Sequence, residues 1–242
     1  MKADNKKIKE AQRLILEAFS RGPGQFALAG GTALEIYYLH HRFSADLDFF
    51  SSDYDLKEID SIISRFKKYT GCAVKLENEF ISASRAKVRF YSASFKALNR
   101  PLKIDFVEDV LFARPDIKRF DGVPVYSVEN IYTQKIAAIA GMQARTDEIG
   151  RQIIEGRLEA RDAFDVYMLS KKIKPLHQFL KGLPSQTQRG VVHWYRTFSR
   201  QDLKLGLLDL DIYVNRFDAR QMTIYLENEI KEFIKDVLGE EG

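Results

Sequence analysis

The sequence predicts an α/β (α+β) protein, with a mixed sheet and flanking helices over residues 1–125 and an all-α stretch over 126–242. Three observations predict this. Short apolar runs alternate with helical periodicity in the first half. Turn signals such as "RGPGQ" and "DGVP" separate those runs. From "SVENIYTQKIAAIAGMQ" onward the helical pattern continues almost to the end, interrupted at "IKPL" and "GLPSQ".

In order, "NKKIKEAQRLILEAFS" has helical spacing and ends at "RGPGQ". "FALAG" is a short strand, "TALEIYYLHH" a helix and "ADLDFF" a strand. "DLKEIDSIISRFKKYTG" is an amphipathic helix that Gly71 is placed to end. Three strands follow, "CAVKLENEF", "SRAKVRFYSASF" and "PLKIDFVED", and "DGVPVYS" turns into a short extended piece.

Composition narrows the class. At 242 residues, 45% hydrophobic and 30% charged, the chain can build a substantial core. No stretch approaches the length of a membrane span, so no membrane partner is expected. The charged N-terminus has no continuous apolar segment and Cys72 is the single cysteine, which together suit a reducing cytoplasm. One cysteine also excludes a cysteine-rich zinc site. The net charge of +4 is unevenly spread. Residues 161–204 carry nine Lys/Arg against three Asp, whereas 205–242 carry four against nine Asp/Glu. The basic stretch is either an ordinary solvated face or a surface for a polyanion.

The chemistry concentrates in "FALAGGTALEIYYLHHRFSADLDFF". In a strand, Asp46 and Asp48 point to one side while Leu47 and Phe49 point to the other. "LKIDFVE" repeats the device: Leu102, Ile104 and Phe106 share a face and Asp105 takes the opposite one. Two neighbouring strands of this kind bring three carboxylates together, which repel one another without cations. Oxygen ligands with open positions suit Mg²⁺. D-x-D alone is weak, since it recurs at 53/55 and 209/211, but only the first copy follows Gly30–Gly31 in a strand-like run. Those glycines let backbone approach a ligand or take positive φ, and Thr32 can cap the next helix or meet a phosphate. The plain alternative is a tight turn beside solvent-facing acids.

Gly-Gly followed, after a helix, by D-x-D resembles the polymerase-β-like nucleotidyltransferases. The denser string, matched at Gly30, Gly31, Thr32, Ala33, Leu34, Arg42, Ser44, Asp46, Leu47, Asp48 and Phe49, resembles the nucleotidyltransferase toxins of the AbiEii/AbiGii type, part of type IV toxin–antitoxin pairs. "QKIAAIAGMQAR" and "EARDAFDVYML" resemble that family's Lys-Leu-x-Ala-Leu helix and Arg-Asp-x-x-Asp-(Leu/Val)-Tyr stretch, with Ile136 where Leu is common. The resemblance spans most of residues 26 to 170.

It implies an Mg²⁺-dependent transfer of a nucleotide from an NTP, with release of pyrophosphate, in a cleft closed by the helical domain 126–242. Asp46, Asp48 and Asp105 would hold two Mg²⁺, Asp105 also helping to deprotonate the acceptor. Gly30, Gly31 and Thr32, with Ser44, would cradle phosphates, and Arg42 and Lys135 would neutralise triphosphate charge. Asp162 would position nucleotide or acceptor. The implied acceptor is the tRNA 3′ end, with a small molecule such as an aminoglycoside or a protein side chain as enzymatic alternatives. A cognate antitoxin is a possible partner, and a non-enzymatic nucleotide-binding or scaffold module is the reading from another class.

The helical residues have alternatives of their own. Lys135 shares a stripe with Ile131, Ala138, Ile139 and Met142, so it needs an anionic partner unless its stem snorkels to the edge. Lys135→Met is expected to leave stability unchanged or raised. Asp162 and Asp165 share a helix face and can instead be structural salt bridges. His40 and His41 point about 100° apart on a helix, which speaks against a shared metal and for surface or RNA-facing places. Trp194, Tyr195 and Phe198 fit core packing better than a base-stacking platform.

Overall fold

The computed structural model describes residues 2–81, 86–141, 144–146, 152–154, 156–157 and 159–239. Ser84 and Arg85 of the expected second strand, and Met142 of the lysine stripe, lie outside them. The chain divides into two compact units, Met1–Tyr38 with Phe43–Ile131, and Leu39–Arg42 with Tyr132–Gly242.

In the first unit, α1 (Lys2–Ser20) buries Ile8, Ile15, Leu16 and Phe19, one face of its 3.6-residue repeat. The sheet consists of β1 (Ala27–Ala29), β2 (Leu47–Ser51), β3 (Ala73–Phe80), β4 (Val88–Ser94), β5 (Leu102–Glu108), β6 (Ile117–Phe120) and β7 (Val123–Tyr126). Its order is β3-β4-β5-β2-β1-β7-β6, with β2 parallel to β5, β1 parallel to β7 and the other pairs antiparallel. The mixed sheet is the one predicted. β6 has no counterpart among the predicted strands; Asp121 and Gly122, at φ 49 and 83, make a hairpin turn that pairs it with β7.

Alternation decides which face of β2 and β5 meets the core. Leu47 and Phe49 of β2 are buried, as are Leu102, Ile104 and Phe106 of β5. Phe49 stacks on Phe106 at 5.4 Å and lies 4.4 Å from Phe19. The helix α3 (Leu56–Thr70) adds Ile59, Ile62 and Phe66. Asp55 caps it by accepting from the Lys57 N–H at 2.9 Å, and Gly71 ends it at φ 66, as its position in the sequence predicts.

The predicted helix "TALEIYYLHH" takes another form. A short α2 (Gly30–Ala33) already contains both glycines, and Leu34–Leu39 continues as a π-helix. His40, at φ 47, breaks it off.

The second unit includes helices α5 (Ala160–Lys172), α6 (Leu176–Lys181), α7 (Ser185–Thr197), α8 (Arg200–Leu208) and α9 (Ala219–Gly239). The helix α4 (Val128–Ala140) carries the boundary between units at Ile131/Tyr132. The predicted helical run is broken by a two-stranded hairpin, β8 (Ala144–Thr146) with β9 (Gln152–Ile154), where "QARTDEI" lacks a continuous apolar face. α5 packs against α6, α8 and α9 and is buried from Asp162 to Ser170, so any acid on it lies inside protein. Trp194, Tyr195 and Phe198 are buried, with Trp194 stacked on Phe198 at 4.8 Å, which makes them core.

Candidate active site

The carboxylates form first. β2 and β5 run parallel with Asp48 opposite Asp105, so the two acids are nearest neighbours across the ladder. Asp46 stands one residue before β2, half-buried. Burial, then the Asp48 charge, pushes the Asp105 carboxyl up to about 7, and Asp46 adds a weaker push. Lys103, two residues earlier on β5, opposes this from 3.3 Å, and its ammonium lies over the Phe90 ring.

The glycine turn makes room for Asp48. Gly30 has φ +69, and a Cβ there would lie 2.5 Å from Asp48 Oδ2. Both the backbone and the space therefore require glycine. Thr32 is fully buried, and its hydroxyl donates to the Asp46 carbonyl, tying the turn to the start of the acid strand. Glu35 ties the intervening segment down: it accepts from the Ser44 N–H at 2.7 Å and pairs with Lys9 at 2.7 Å. Gln12 Nε2 donates to the Ser44 and Ala45 carbonyls at 2.9 and 3.1 Å. Gly30, Thr32, Ser44, Asp46, Asp48 and Asp105 are thus brought together within the first unit.

Among the described residues, no three His, Cys, Asp or Glu side chains converge tightly enough to enclose a metal ion. The donors nonetheless fit Mg²⁺, which is commonly held by one or two carboxylates and completed by substrate phosphates and water. Among the described residues nothing hydrogen-bonds the buried Asp105 Oδ1, an oxygen that a hard cation would satisfy.

In the second unit a buried charge network surrounds Asp165. Arg42 donates to it in a fork, Nε to Oδ1 and Nη2 to Oδ2, both at 2.7 Å. His41 Nε2 lies 2.7 Å from Oδ1, and Lys135 Nζ lies 2.8 Å from Oδ2. Lys135 also donates to Asp162 Oδ1 at 2.6 Å. Burial alone would raise the Asp165 carboxyl, but Lys135, Arg42 and the His41 hydrogen bond hold it well below the usual carboxylate range. Burial likewise would lower Lys135, yet Asp165 and Asp162 raise it, so the ammonium stays charged.

The sequence places Arg42 and Lys135 against a triphosphate; in the structure both pair with Asp165, and Lys135 also with Asp162. For Asp165 the salt-bridge alternative holds, with Arg42 as the arginine. His41 is corrected outright: it is fully buried and stacked on Phe164 at 5.6 Å, not surface or RNA-facing. On the basic stretch, Lys171, Lys172, Lys174, Arg189, Arg196 and Arg200 are exposed.

A family model described as "Nucleotidyl transferase AbiEii toxin, Type IV TA system" matches residues 14–240. The chain belongs to the AbiEii family. Two crystal structures from Helicobacter pylori share its fold. One is described as a nucleotidyltransferase, with 17% identity, TM-score 0.57, and 95% of this chain and 96% of that chain covered. The other is JHP933, with 18% identity, TM-score 0.57, and 97% and 95% covered. No curated protein matches the chain. As an AbiEii protein it is a nucleotidyltransferase enzyme of the toxin–antitoxin type, with an NTP as donor and an antitoxin as its counterpart. Among the described residues no helix is long and apolar enough to cross a membrane.

Proposed function

We propose that this AbiEii protein moves a nucleotide from an NTP to the 3′ end of tRNA, in the cytoplasm and with Mg²⁺. The observation that carries the proposal is the Asp48–Asp105 register pair beside the positive-φ Gly30, a cluster of oxygen donors next to backbone that a phosphate can approach.

The acceptor hydroxyl attacks the α-phosphorus of the NTP. A new oxygen–phosphorus bond forms, the bond from the α-phosphorus to the bridging oxygen breaks, and pyrophosphate leaves. Asp46, Asp48 and Asp105 would hold two Mg²⁺, which supply charge compensation for the triphosphate and the leaving group when bound. Asp105, opposite Asp48 on the neighbouring strand, takes part as a carboxylate in accepting the hydroxyl proton. Gly30 and Gly31 offer backbone to the phosphates, Thr32 keeps that turn fixed to Asp46, and Ser44 borders it. Lys135 spends two protons on Asp162 and Asp165 and has a third for a phosphate oxygen. Arg42 adds a permanent positive charge to the same network, and Asp162 sets the direction of the Lys135 ammonium.

The exposed Lys171, Lys172 and Lys174 support a polyanionic acceptor over a cationic small molecule. The test incubates pure protein with each α-labelled NTP and with tRNA, other RNA, or a panel of aminoglycosides, with and without Mg²⁺. Label at the tRNA 3′ end, absent in Asp48→Asn, is expected. Label on a small molecule or on protein, with none on tRNA, would replace the tRNA proposal.

A further inference from the structure

Asp165 is an acceptor whose capacity is filled. A carboxylate offers about four lone-pair positions, and four donors occupy them: His41 Nε2 and Arg42 Nε on Oδ1, Arg42 Nη2 and Lys135 Nζ on Oδ2. Arg42 and Lys135 carry the charge. His41 supplies the remaining donor, and because Asp165 can only accept, Nε2 is the nitrogen that carries the proton toward it.

The surroundings fix His41 as firmly as its hydrogen bond does. The ring is fully buried and lies 12° from parallel with Phe164. Its backbone carbonyl accepts from the Tyr213 N–H at 2.9 Å, and Arg42 forms an antiparallel bridge with Ile212. Among the described residues Nδ1 has no hydrogen-bond partner, and Asp165 is the ring's one polar contact.

We propose that His41 is a positioning residue for Lys135: by filling the last acceptor position of Asp165, it keeps that carboxylate from drawing the lysine away from Asp162. With His41 in place, Lys135 is shared between Asp165 Oδ2 and Asp162 Oδ1, and its side chain keeps 12% exposure, enough for the third proton to meet a ligand. Without the His41 donor, Oδ1 has a vacant lone pair in a buried place. With the carboxylate held by the Arg42 fork, Lys135 is drawn toward that vacancy, and the ammonium leaves its direction toward Asp162. The inference rests on the reading that Lys135 meets the triphosphate.

The experiment measures KM for NTP and kcat in the full chain for His41→Phe, His41→Asn, His41→Gln and Lys135→Met. Phe keeps the stack and removes the donor; Asn is too short to reach; the Gln amide nitrogen stands in for Nε2. His41→Phe and His41→Asn should raise KM on the order of tenfold, the effect of a displaced binding group. In both, kcat should change by less than about threefold, because the loss is in ground-state binding. His41→Gln should restore KM to within about threefold of the unsubstituted protein. A merely structural histidine predicts lower melting temperatures with KM unchanged, or equal KM values for Gln and Asn, and either result overturns the inference. If His41→Phe does not fold, the Gln and Asn pair decides in the same way. Lys135→Met separates the two layers. An unchanged KM there brings down the Lys135 reading and this inference with it. A raised KM there, with His41→Asn unaltered, overturns the inference alone.

Discussion

Asp48 and Asp105 stand opposite each other on parallel strands, and the second carboxyl holds its proton up to about pH 7. Its ordinary value is 3.8, so the folded chain binds this proton more tightly than the unfolded one does. The stability tied to it is fully present below about pH 4 and is lost as pH rises through about 7.

Metal-free protein should therefore melt at a lower temperature at pH 8 than at pH 5. The Asp105 share is on the order of 2–4 kcal/mol. Asp105→Asn should remove most of that pH response, and Mg²⁺ at pH 8 should recover part of it in the unsubstituted protein. Identical melting-versus-pH curves for the two proteins would show that the acid pair is not the source.

The Asp165 network works in the opposite sense. A depressed carboxyl contributes stability above its unfolded pKa, lost only as pH falls through the lower folded value, while raised Lys135 contributes until the pH rises through a folded value above the ordinary 10.5. Asp165→Asn leaves Arg42 and Lys135 buried with too little negative charge and should cost about 3–5 kcal/mol. Asp162→Asn removes only one of the two carboxylates on Lys135 and should cost about 1–2 kcal/mol. Lys135→Met, expected from sequence to be neutral or stabilising, should instead destabilise, since two buried acids lose their shared cation. Urea midpoints for the three variants check this order, and an Asp165→Asn midpoint equal to that of Asp162→Asn would contradict it.

Gly30→Ala should damage fold and chemistry together. Left-handed backbone costs an L side chain about 1–2 kcal/mol, and the new methyl would lie 2.5 Å from Asp48 Oδ2. The carboxylate must move, so turnover should fall by at least about tenfold even where the protein remains folded. Normal turnover in a folded Gly30→Ala protein would detach the glycine turn from the acid site.

Charge reversal at the exposed Lys171, Lys172 and Lys174 tests the acceptor. Each phosphate contact contributes about −0.9 to the log–log salt slope on duplex DNA, so tRNA binding to the unsubstituted protein should show a slope of several units. The triple variant should bind more weakly and with a flatter slope, while KM for NTP stays unchanged. Equal affinities and parallel slopes would sink the basic-surface proposal.

What the sequence revealed followed local periodicity. Alternation in "ADLDFF" and "LKIDFVE" placed Asp48 and Asp105 on the face opposite Phe49 and Phe106, and the strands then met in register, although Asp105 is buried on that face too. Lys135 was legible because a lysine inside an apolar stripe needs a partner. Asp165 and His41 were not, because a saturated carboxylate depends on contacts 123 and 124 residues apart in the chain. The β8–β9 hairpin was hidden because helical and extended readings compete in a short polar segment. The π-helix is hidden for a related reason: its residues suit an ordinary helix, and no local signal marks the wider turn at Leu34–Leu39.

That wider turn also acts as a ruler. A π-helix accommodates an extra residue relative to an α-helix, so deleting one residue within Leu34–Leu39 could close into a regular helix at little local cost. Each further residue removed, however, would turn the chain by about 100°, with no wider turn left to absorb it. Length, more than composition, is what this segment has to preserve. Among descendants of such a gene, substitutions at residues 36–39 should accumulate far more readily than gaps of more than one residue.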